Sequence, residues 1–133
     1  MAKNDTFHCS VITPERAVLE TDATFVALPA HDGELGVLRN RAPMLYKLGT
    51  GELRVETPEG KHLLFVDGGF AQMVDNRLTL LTEQAKRLDE IDAATVERAL
   101  ADARSQAKGG EQAQRAQKRA SVLKHLLAKR QAE

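Results

Sequence analysis

The residues that could support catalysis or metal binding are few and widely separated. The four histidines (His8, His31, His62 and His125) fall on different predicted elements and make no pair with the spacing of metal ligands. The single cysteine, Cys9, lies on the apolar side of an alternating stretch, which favours a small buried side chain over a nucleophile. The sequence has no GxxxxGK[ST], HExxH, CxxC or GxSxG motif. We therefore expect no catalytic residue, no metal site and no cofactor.

Two glycine-containing segments could instead bind a ligand or a partner. Asp67-Gly68-Gly69 could form a nest of backbone N–H groups for an anion, although a turn or bulge explains it equally well. In loop 29–43, Gly33 and Gly36 flank Glu34-Leu35, which predicts an acidic and an apolar side chain at the tip of a tight turn. The pattern alone favours an ordinary hairpin tip, but exposed loops on a rigid sheet often carry recognition.

The C-terminal segment carries a basic surface. Arg115, Lys118 and Arg119 fall in one helical arc opposite a stripe of alanines, and Val122 and Leu126 project from that same arc. A solvated face would explain the charges alone, but the neighbouring helix of a hairpin cannot cover the two apolar side chains. These residues therefore predict docking on an acidic, partly apolar protein surface. Nucleic-acid binding is a weaker alternative, because the segment has no aromatic residue for base stacking.

The elements that would position these residues differ between the two halves of the chain. Every proline and every aromatic residue precedes residue 89, and turn signals there separate short stretches of β-prone residues. Phe7, Cys9 and Val11 predict a strand with one buried face. Further strands are predicted at 24–28, 52–56, 62–66 and 77–81, and their close spacing favours antiparallel pairing. This half is predicted to be an all-β sandwich or barrel.

The second half predicts two helices joined by a glycine turn. Asp92 is a suitable N-cap for a helix that runs to about Ala107, and Gly109-Gly110 can end it. A second helix is predicted from Glu111 to about Arg130. The facing stripes are mostly alanine (Val96, Ala99, Leu100, Ala103 and Ala107 against Ala113, Ala116, Ala120, Leu123 and Leu127). Such an interface buries little apolar area, so we expect a weakly held antiparallel hairpin.

Composition limits the class of protein further. The chain has 133 residues, and its 19 Lys and Arg balance 19 Asp and Glu. This balance gives no electrostatic case for a dedicated nucleic-acid binder. No apolar run approaches the roughly 20 residues of a spanning helix, and the first ten residues lack the apolar core of a signal peptide. A mainly β fold, with a β-sandwich domain at 1–87 and a helical hairpin at 88–133, is the predicted organisation.

Three stretches in register resemble one known family. They are VITPERAV (11–18), LPAHDGELGVL with RAP (28–38 and 41–43) and GGFAQMVDNRLTLLTEQA (68–85). Together they are similar to the epsilon subunit of F-type ATP synthases. The resemblance covers most of residues 5–87, and the hairpin has the family's length and position. It implies a ten-stranded β-sandwich and a non-catalytic central-stalk subunit, placed peripherally at the cytoplasmic face of the energy-transducing membrane.

The resemblance also implies partners and contact residues. The expected partners are the gamma subunit, the ring of c subunits and the alpha/beta catalytic head, with the membrane reached only through the complex. Ring contact carries over to Gly33, Glu34, Leu35 and Gly36. An extended hairpin would place Arg115, Lys118, Arg119, Val122 and Leu126 against an acidic surface of the beta subunit and restrain ATP hydrolysis.

The sequence also departs from the family's patterns. Arg39 and Arg41 stand where the family usually has proline and histidine. Ile91 and Asp92 match the start of the nucleotide-binding motif IDxxRA, but Thr95 and Val96 occupy its Arg and Ala positions. The alternative interpretation is a free-standing β-sandwich adaptor whose basic helix binds an acidic protein or nucleic acid.

Overall fold

The computed structural model describes residues 5–106 and 109–132. Within them the chain forms ten strands and two helices, with a 3-10 turn between the last strand and the first helix. The strands are β1 (Phe7–Ile12), β2 (Ala17–Ala23), β3 (Phe25–Ala30), β4 (Gly33–Leu38), β5 (Met44–Lys47), β6 (Thr50–Thr57), β7 (Gly60–Asp67), β8 (Phe70–Val74), β9 (Arg77–Leu81) and β10 (Gln84–Arg87). The 3-10 turn spans Leu88–Glu90, and the helices are α1 (Ala93–Ser105) and α2 (Glu111–Ala132). The predicted β-sandwich followed by two helices is confirmed.

The strands form two five-stranded sheets. Sheet I has the order β2-β1-β9-β8-β5, and sheet II has the order β10-β7-β6-β3-β4. The expectation of antiparallel pairing is wrong at one place, because β1 and β9 run parallel with His8 opposite Arg77. A parallel pair needs a long crossover connection. The chain meets this need by building most of sheet II between β1 and β9.

The main core lies between the two sheets. Alternate residues of each strand enter it, as Phe7, Cys9 and Val11 do from β1, where all three are buried. Leu53 and Leu64 face them from sheet II. The period-2 pattern of β1 therefore predicted its buried face correctly. Burial raises the pKa of the Cys9 thiol to about 12, so this side chain stays neutral in the core.

The helices begin and end close to the predicted positions. Asp92 caps α1, and its Oδ1 accepts hydrogen bonds from the Thr95 amide at 2.8 Å and the Thr95 hydroxyl at 2.7 Å. Helix α1 ends at Ser105, two residues before the predicted end at Ala107, which lies outside the described residues together with Lys108. Gly109 and Gly110 have positive φ and directly precede α2. The strands stop at Arg87, and the division into domains at 1–87 and 88–133 stays a prediction.

The hairpin packs on the outer face of sheet II and forms a second core there. Leu63 and Phe65 of β7 are buried beneath Ile91, Leu123 and Leu126. The expectation of a weakly held hairpin considered only the alanine interface between the two helices, and the structure adds this contact with the sheet. The alanine stripe exists, since Ala113, Ala116 and Ala120 are buried, but the same helix also covers large apolar side chains of the sandwich.

Candidate functional site

A carboxylate at the end of β7 is the centre of the contact between the sandwich and the hairpin. The side chain of Asp67 is only 2% exposed. Its Oδ1 accepts hydrogen bonds from the Thr50 hydroxyl at 2.6 Å and from Arg115 Nε at 3.2 Å. Its Oδ2 accepts from Arg119 Nε at 2.6 Å. We call Asp67, Thr50, Arg115 and Arg119 the Asp67 cluster.

Two more acidic side chains border this cluster. Arg115 Nη2 lies 2.8 Å from Glu83 Oε2, and Arg119 Nη1 lies 3.5 Å from Asp102 Oδ2 of α1. Glu83 and Asp102 are 65% and 50% exposed, so water screens both of these pairs. The two arginines are thus held mainly by the one buried carboxylate, which needs them to compensate its lost hydration.

Local backbone geometry explains why a glycine pair follows Asp67. Gly69 has a φ of +105°, and a Cβ there would overlap the carbonyl oxygen of Leu81. Gly68 has a φ of +75°, and a Cβ there would lie 2.6 Å from Arg115 Nη2. Glycine is therefore required at Gly69 for the tight connection from β7 to β8, and the positive φ of Gly68 also favours glycine. In this structure the segment binds a guanidinium through its aspartate.

The ionisation of Asp67 is strongly affected by its neighbours. Burial raises its pKa and is the largest single influence, but the hydrogen bonds from Thr50 and Arg119 and the charges of Arg119 and Arg115 outweigh it. The pKa of Asp67 therefore lies below its ordinary value of 3.8. Burial also acts to lower the pKa of Arg115, but the carboxylates of Asp67 and Glu83 raise it overall. The cluster is charged on both sides at neutral pH.

The predicted outward orientation of the basic arc is wrong for most of its members. Arg115 and Arg119 bind Asp67, Leu126 is fully buried, and Val122 packs against the second core. Lys118 alone among the five is exposed. The arc points toward the sandwich because α2 lies against both α1 and the β6–β7 strands, so its buried surface is wider than a two-helix hairpin requires. A beta-subunit contact through these residues would need α2 to leave the sheet.

The C-terminal half of α2 is attached at two further points. Lys129 Nζ lies 2.7 Å from Glu52 Oε1 of β6, and Arg130 Nη1 donates to the carbonyl oxygen of Ile91 at 2.6 Å. Ile91 itself is buried in the second core. Two polar contacts and one apolar layer thus hold the end of α2 against the linker and sheet II.

The segment predicted as a tight turn around Glu34-Leu35 is a strand. The turn residues are His31 and Asp32, and β4 begins at Gly33. Glu34 pairs with Pro29 and is exposed, whereas Leu35 pairs with Leu28 and packs partly against the main core. The tip prediction is therefore wrong by three residues.

The Gly33–Gly36 segment and the basic helix lie near the same cleft. A cleft of about 680 Å³ separates the 29–34 and 47–52 segments from the first turns of α2. Gly33 and Glu34 line one wall, and Arg115 and Lys118 line another. Acidic Glu52, Glu83 and Glu111 also line it. Its charges are mixed, so the cleft does not favour an anionic ligand.

Ile91 and Asp92, the two residues that match the nucleotide-binding motif, have structural roles here. Ile91 is buried, and the Asp92 carboxylate is occupied by both hydrogen bonds from Thr95. The hydrogen bonds from the Thr95 side chain and amide are the main reason why the pKa of Asp92 is lowered. The linker before them is fixed by Arg16, whose Nη2 lies 2.6 Å from Glu90 Oε2.

Four apolar side chains are exposed on the outer face of sheet I, which the hairpin does not cover. Phe70 and Leu81 are cross-strand partners that are 52% and 54% exposed. Leu45 on β5 is 70% exposed, and Val74 on β8 is 38% exposed. We call these four residues the sheet I patch. Exposed apolar side chains gathered on one face of a sheet are typical of protein–protein contacts. Sequence analysis missed the patch because each strand, taken alone, shows only one or two of its residues.

Comparison with known proteins identifies a matching family model and several relatives of this chain. Residues 6–88 match the family described as ATP synthase, Delta/Epsilon chain, beta-sandwich domain. An ATP synthase epsilon chain of Rhodopirellula baltica is 50% identical over 95 residues, which are 71% of this chain and 74% of that one. The chain belongs to the ATP synthase epsilon-chain family. A second epsilon chain, from Nitratidesulfovibrio vulgaris, is 40% identical over 64% of this chain and 63% of its own length.

Chains in solved structures of ATP synthases have a similar fold. A chain from the Euglena gracilis mitochondrial ATP synthase (OSCP/F1/c-ring) aligns with a TM-score of 0.77 at 24% identity, covering 92% of this chain and 82% of its own. A chain from the Tetrahymena thermophila mitochondrial ATP synthase (central stalk/c-ring) aligns with a TM-score of 0.53 at 18% identity, covering 65% and 69%. The predicted family and fold are confirmed. In the described part of this epsilon chain, no helix is long and apolar enough to cross a membrane.

Proposed function

We propose that this epsilon chain is a non-catalytic rotor subunit of a proton-translocating ATP synthase. It would bind the gamma subunit in the central stalk, contact the ring of c subunits, and help couple rotation to ATP synthesis. It would sit peripherally on the cytoplasmic face of the membrane. The observation that supports this proposal best is the sheet I patch, because a stalk subunit must bury one face permanently against its neighbour.

The patch has the properties of a docking surface for another protein. Phe70, Leu81 and Leu45 are large, more than half exposed and lie on neighbouring strands of a rigid sheet. Burying such side chains against a partner removes apolar surface from water, which favours the complex. The hairpin occupies the opposite face of the sandwich, so gamma binding through the patch leaves the hairpin free to move.

The ring contact is proposed for the start of β4. Gly33, Glu34 and Gly36 are exposed, and Leu35 is partly exposed. Glu34 contributes a charge at the end of the sandwich, next to the turn at His31 and Asp32. The contact would involve polar loops of the ring, and the turn residues would share it with Glu34.

Restraint of ATP hydrolysis is proposed for the hairpin in an extended form. Arg115, Lys118 and Arg119 would bind acidic residues of the beta subunit, and Val122 and Leu126 would fill apolar contacts between them. All five residues are on α2, and four of them contact the sandwich in the docked form. Docking and inhibition would therefore be mutually exclusive states of one helix.

Co-purification tests the rotor assignment. Phe70→Ser with Leu81→Ser should greatly weaken the recovery of gamma and the alpha/beta head with this chain. Leu38→Ser is the matched control, since Leu38 is 60% exposed but lies on β4 of sheet II, away from the patch. Unchanged recovery with the double variant would contradict binding through the patch, and wild-type chain that never co-purifies with gamma would contradict the proposed function.

A further inference from the structure

The two arginines of the Asp67 cluster each have one strong carboxylate partner in the docked hairpin. Arg115 Nε and Arg119 Nε bind the two oxygens of the same buried group, at 3.2 Å and 2.6 Å. The proposed inhibitory state requires the same two guanidinium groups to bind carboxylates of another protein. A guanidinium whose Nε is held by Asp67 cannot present that edge to a second carboxylate.

Burial distinguishes Asp67 from the other acids that α2 contacts. Asp67 is 2% exposed, whereas Glu83, Asp102 and Glu52 are 65%, 50% and 24% exposed. Ion pairs in water contribute little, because solvent screens them and side-chain ordering opposes them. At Asp67 the hydrogen bonds and charges of its partners outweigh the cost of burying the carboxylate, since the pKa of Asp67 is lowered overall. Among these contacts, the Asp67 pairs are the ones whose loss opposes release of α2 most.

We propose that Asp67 controls the position of α2 by competing with an acidic partner surface for Arg115 and Arg119. A stronger pairing with Asp67 keeps the hairpin docked and the arginines unavailable, and a weaker pairing releases them. The partner surface is one that carries closely spaced carboxylates, since only such a surface replaces both oxygens of Asp67. The inference rests on the proposed inhibitory function of the hairpin.

The first experiment measures docking in the isolated full-length chain. Asp67→Asn keeps the shape and one acceptor oxygen but removes the charge, so α2 should detach more often. Amide hydrogen exchange of α2 should accelerate at least about tenfold, the ratio expected for loss of a charge-assisted hydrogen bond. Lys129→Gln is the matched control, because it removes an ion pair between α2 and the sandwich whose acid is less buried. It should accelerate exchange much less.

A second variant tests the cluster without altering the sandwich. Arg115→Gln with Arg119→Gln removes the cations from α2 and leaves Asp67, Thr50 and the β7–β8 connection intact. Exchange of α2 should accelerate by at least the same factor. Exchange of the β6 and β7 amides should stay slow in all variants, which shows that the sandwich is folded.

The second experiment separates docking from inhibition in the assembled ATP synthase. Asp67→Asn frees α2 and leaves both arginines available, so ATP hydrolysis should fall below the wild-type rate. Arg115→Gln with Arg119→Gln also frees α2 but removes the inhibitory cations, so hydrolysis should rise above it. Competition therefore predicts that the two variants both accelerate α2 exchange but change the hydrolysis rate in opposite directions.

Each contrary result identifies which step of the proposal is wrong. Unchanged α2 exchange in Asp67→Asn overturns the role of Asp67, whatever the hydrolysis rates are. Accelerated exchange with hydrolysis at or above the wild-type rate overturns the competition, provided that removal of α2 raises hydrolysis. If removal of α2 leaves hydrolysis unchanged, the proposed inhibitory function fails instead.

Discussion

Arg130 donates a hydrogen bond from Nη1 to the carbonyl oxygen of Ile91 at 2.6 Å, which joins the last turns of α2 to the linker before α1. Ile91 precedes the N-cap Asp92, so the hairpin returns to the point where it leaves the sandwich. The other end of α2 is held by Asp67, and its middle is held by Leu123 and Leu126 in the second core. Helix α2 is therefore attached along its whole length and should leave the sandwich in one cooperative step.

Leu126→Ala should destabilise the docked hairpin. Leu126 is fully buried between α2 and β7, and replacing a buried leucine with alanine costs about 2–5 kcal/mol. Leu127→Ala, one position away and only partly buried, should cost about 1 kcal/mol or less. Urea unfolding followed by the helical circular dichroism signal measures both. Equal effects of the two substitutions would contradict the observed register of α2.

The docked hairpin should lose stability in acid because of Asp67. The folded-state pKa of this group lies below its ordinary value of 3.8, so its contribution to stability is fully present above that value. It is lost as the pH falls from 3.8 through the folded-state pKa, below which Asp67 is protonated in both states. Urea unfolding at a series of pH values should show this loss in the wild type. Asp67→Asn should lack that component, and identical pH profiles would contradict it.

Asp92→Ala should weaken the start of α1, because it removes both hydrogen bonds from Thr95. The expected cost is about 0.5–2 kcal/mol in thermal or urea unfolding, and Asp92→Asn should recover most of it.

ATP should not raise the unfolding temperature of the isolated chain, since Thr95 and Val96 replace the Arg and Ala of the nucleotide-binding motif. A clear rise with ATP that Asp92→Ala abolishes would show that Ile91-Asp92 belongs to a nucleotide site.

Cysteines introduced at the start of β4 should report the ring contact. Glu34 is exposed and Leu35 is partly buried, so Glu34→Cys should crosslink to the c-subunit loop more efficiently than Leu35→Cys. The native Cys9 gives little background, because it is fully buried and its thiol pKa is raised to about 12. Preferential crosslinking of Glu34→Cys to the alpha or beta subunit would contradict the proposed orientation.

Much of the fold was predictable because it depends on local patterns. Alternation in Phe7, Cys9 and Val11 reported the buried face of β1, and Asp92 marked the start of α1 one residue before its first helical turn. Five strands were not identified from their residues, namely β2, β4, β5, β8 and β10. The two shortest strands, β5 and β10, are among them, and polar or turn-forming residues interrupt the other three. Their number followed from the family resemblance.

The errors at the site arise from contacts between distant segments. Helical periodicity placed Leu127 in the buried stripe and Leu126 outside it, because a hairpin pattern includes only α1 as a neighbour of α2. The sheet beneath α2 reverses that order. Asp67 was treated as part of a glycine turn, although it lies 48 residues from Arg115 and 52 from Arg119, the two residues whose charge it neutralises. The one sequence signal for the role of Asp67 was its position, because it is an acidic residue directly after the apolar run Leu63–Val66.

ATP hydrolysis by the assembled complex, with and without α2, tests the central claim most directly. A chain that ends at Lys108 keeps the sandwich, the linker and α1, and it removes all five proposed inhibitory residues at once. We predict that complexes with this chain assemble and carry out proton-driven synthesis like the wild type, but hydrolyse ATP several-fold faster. Hydrolysis no faster than the wild type at every ADP and ATP concentration, in complexes of normal subunit composition, would contradict the account.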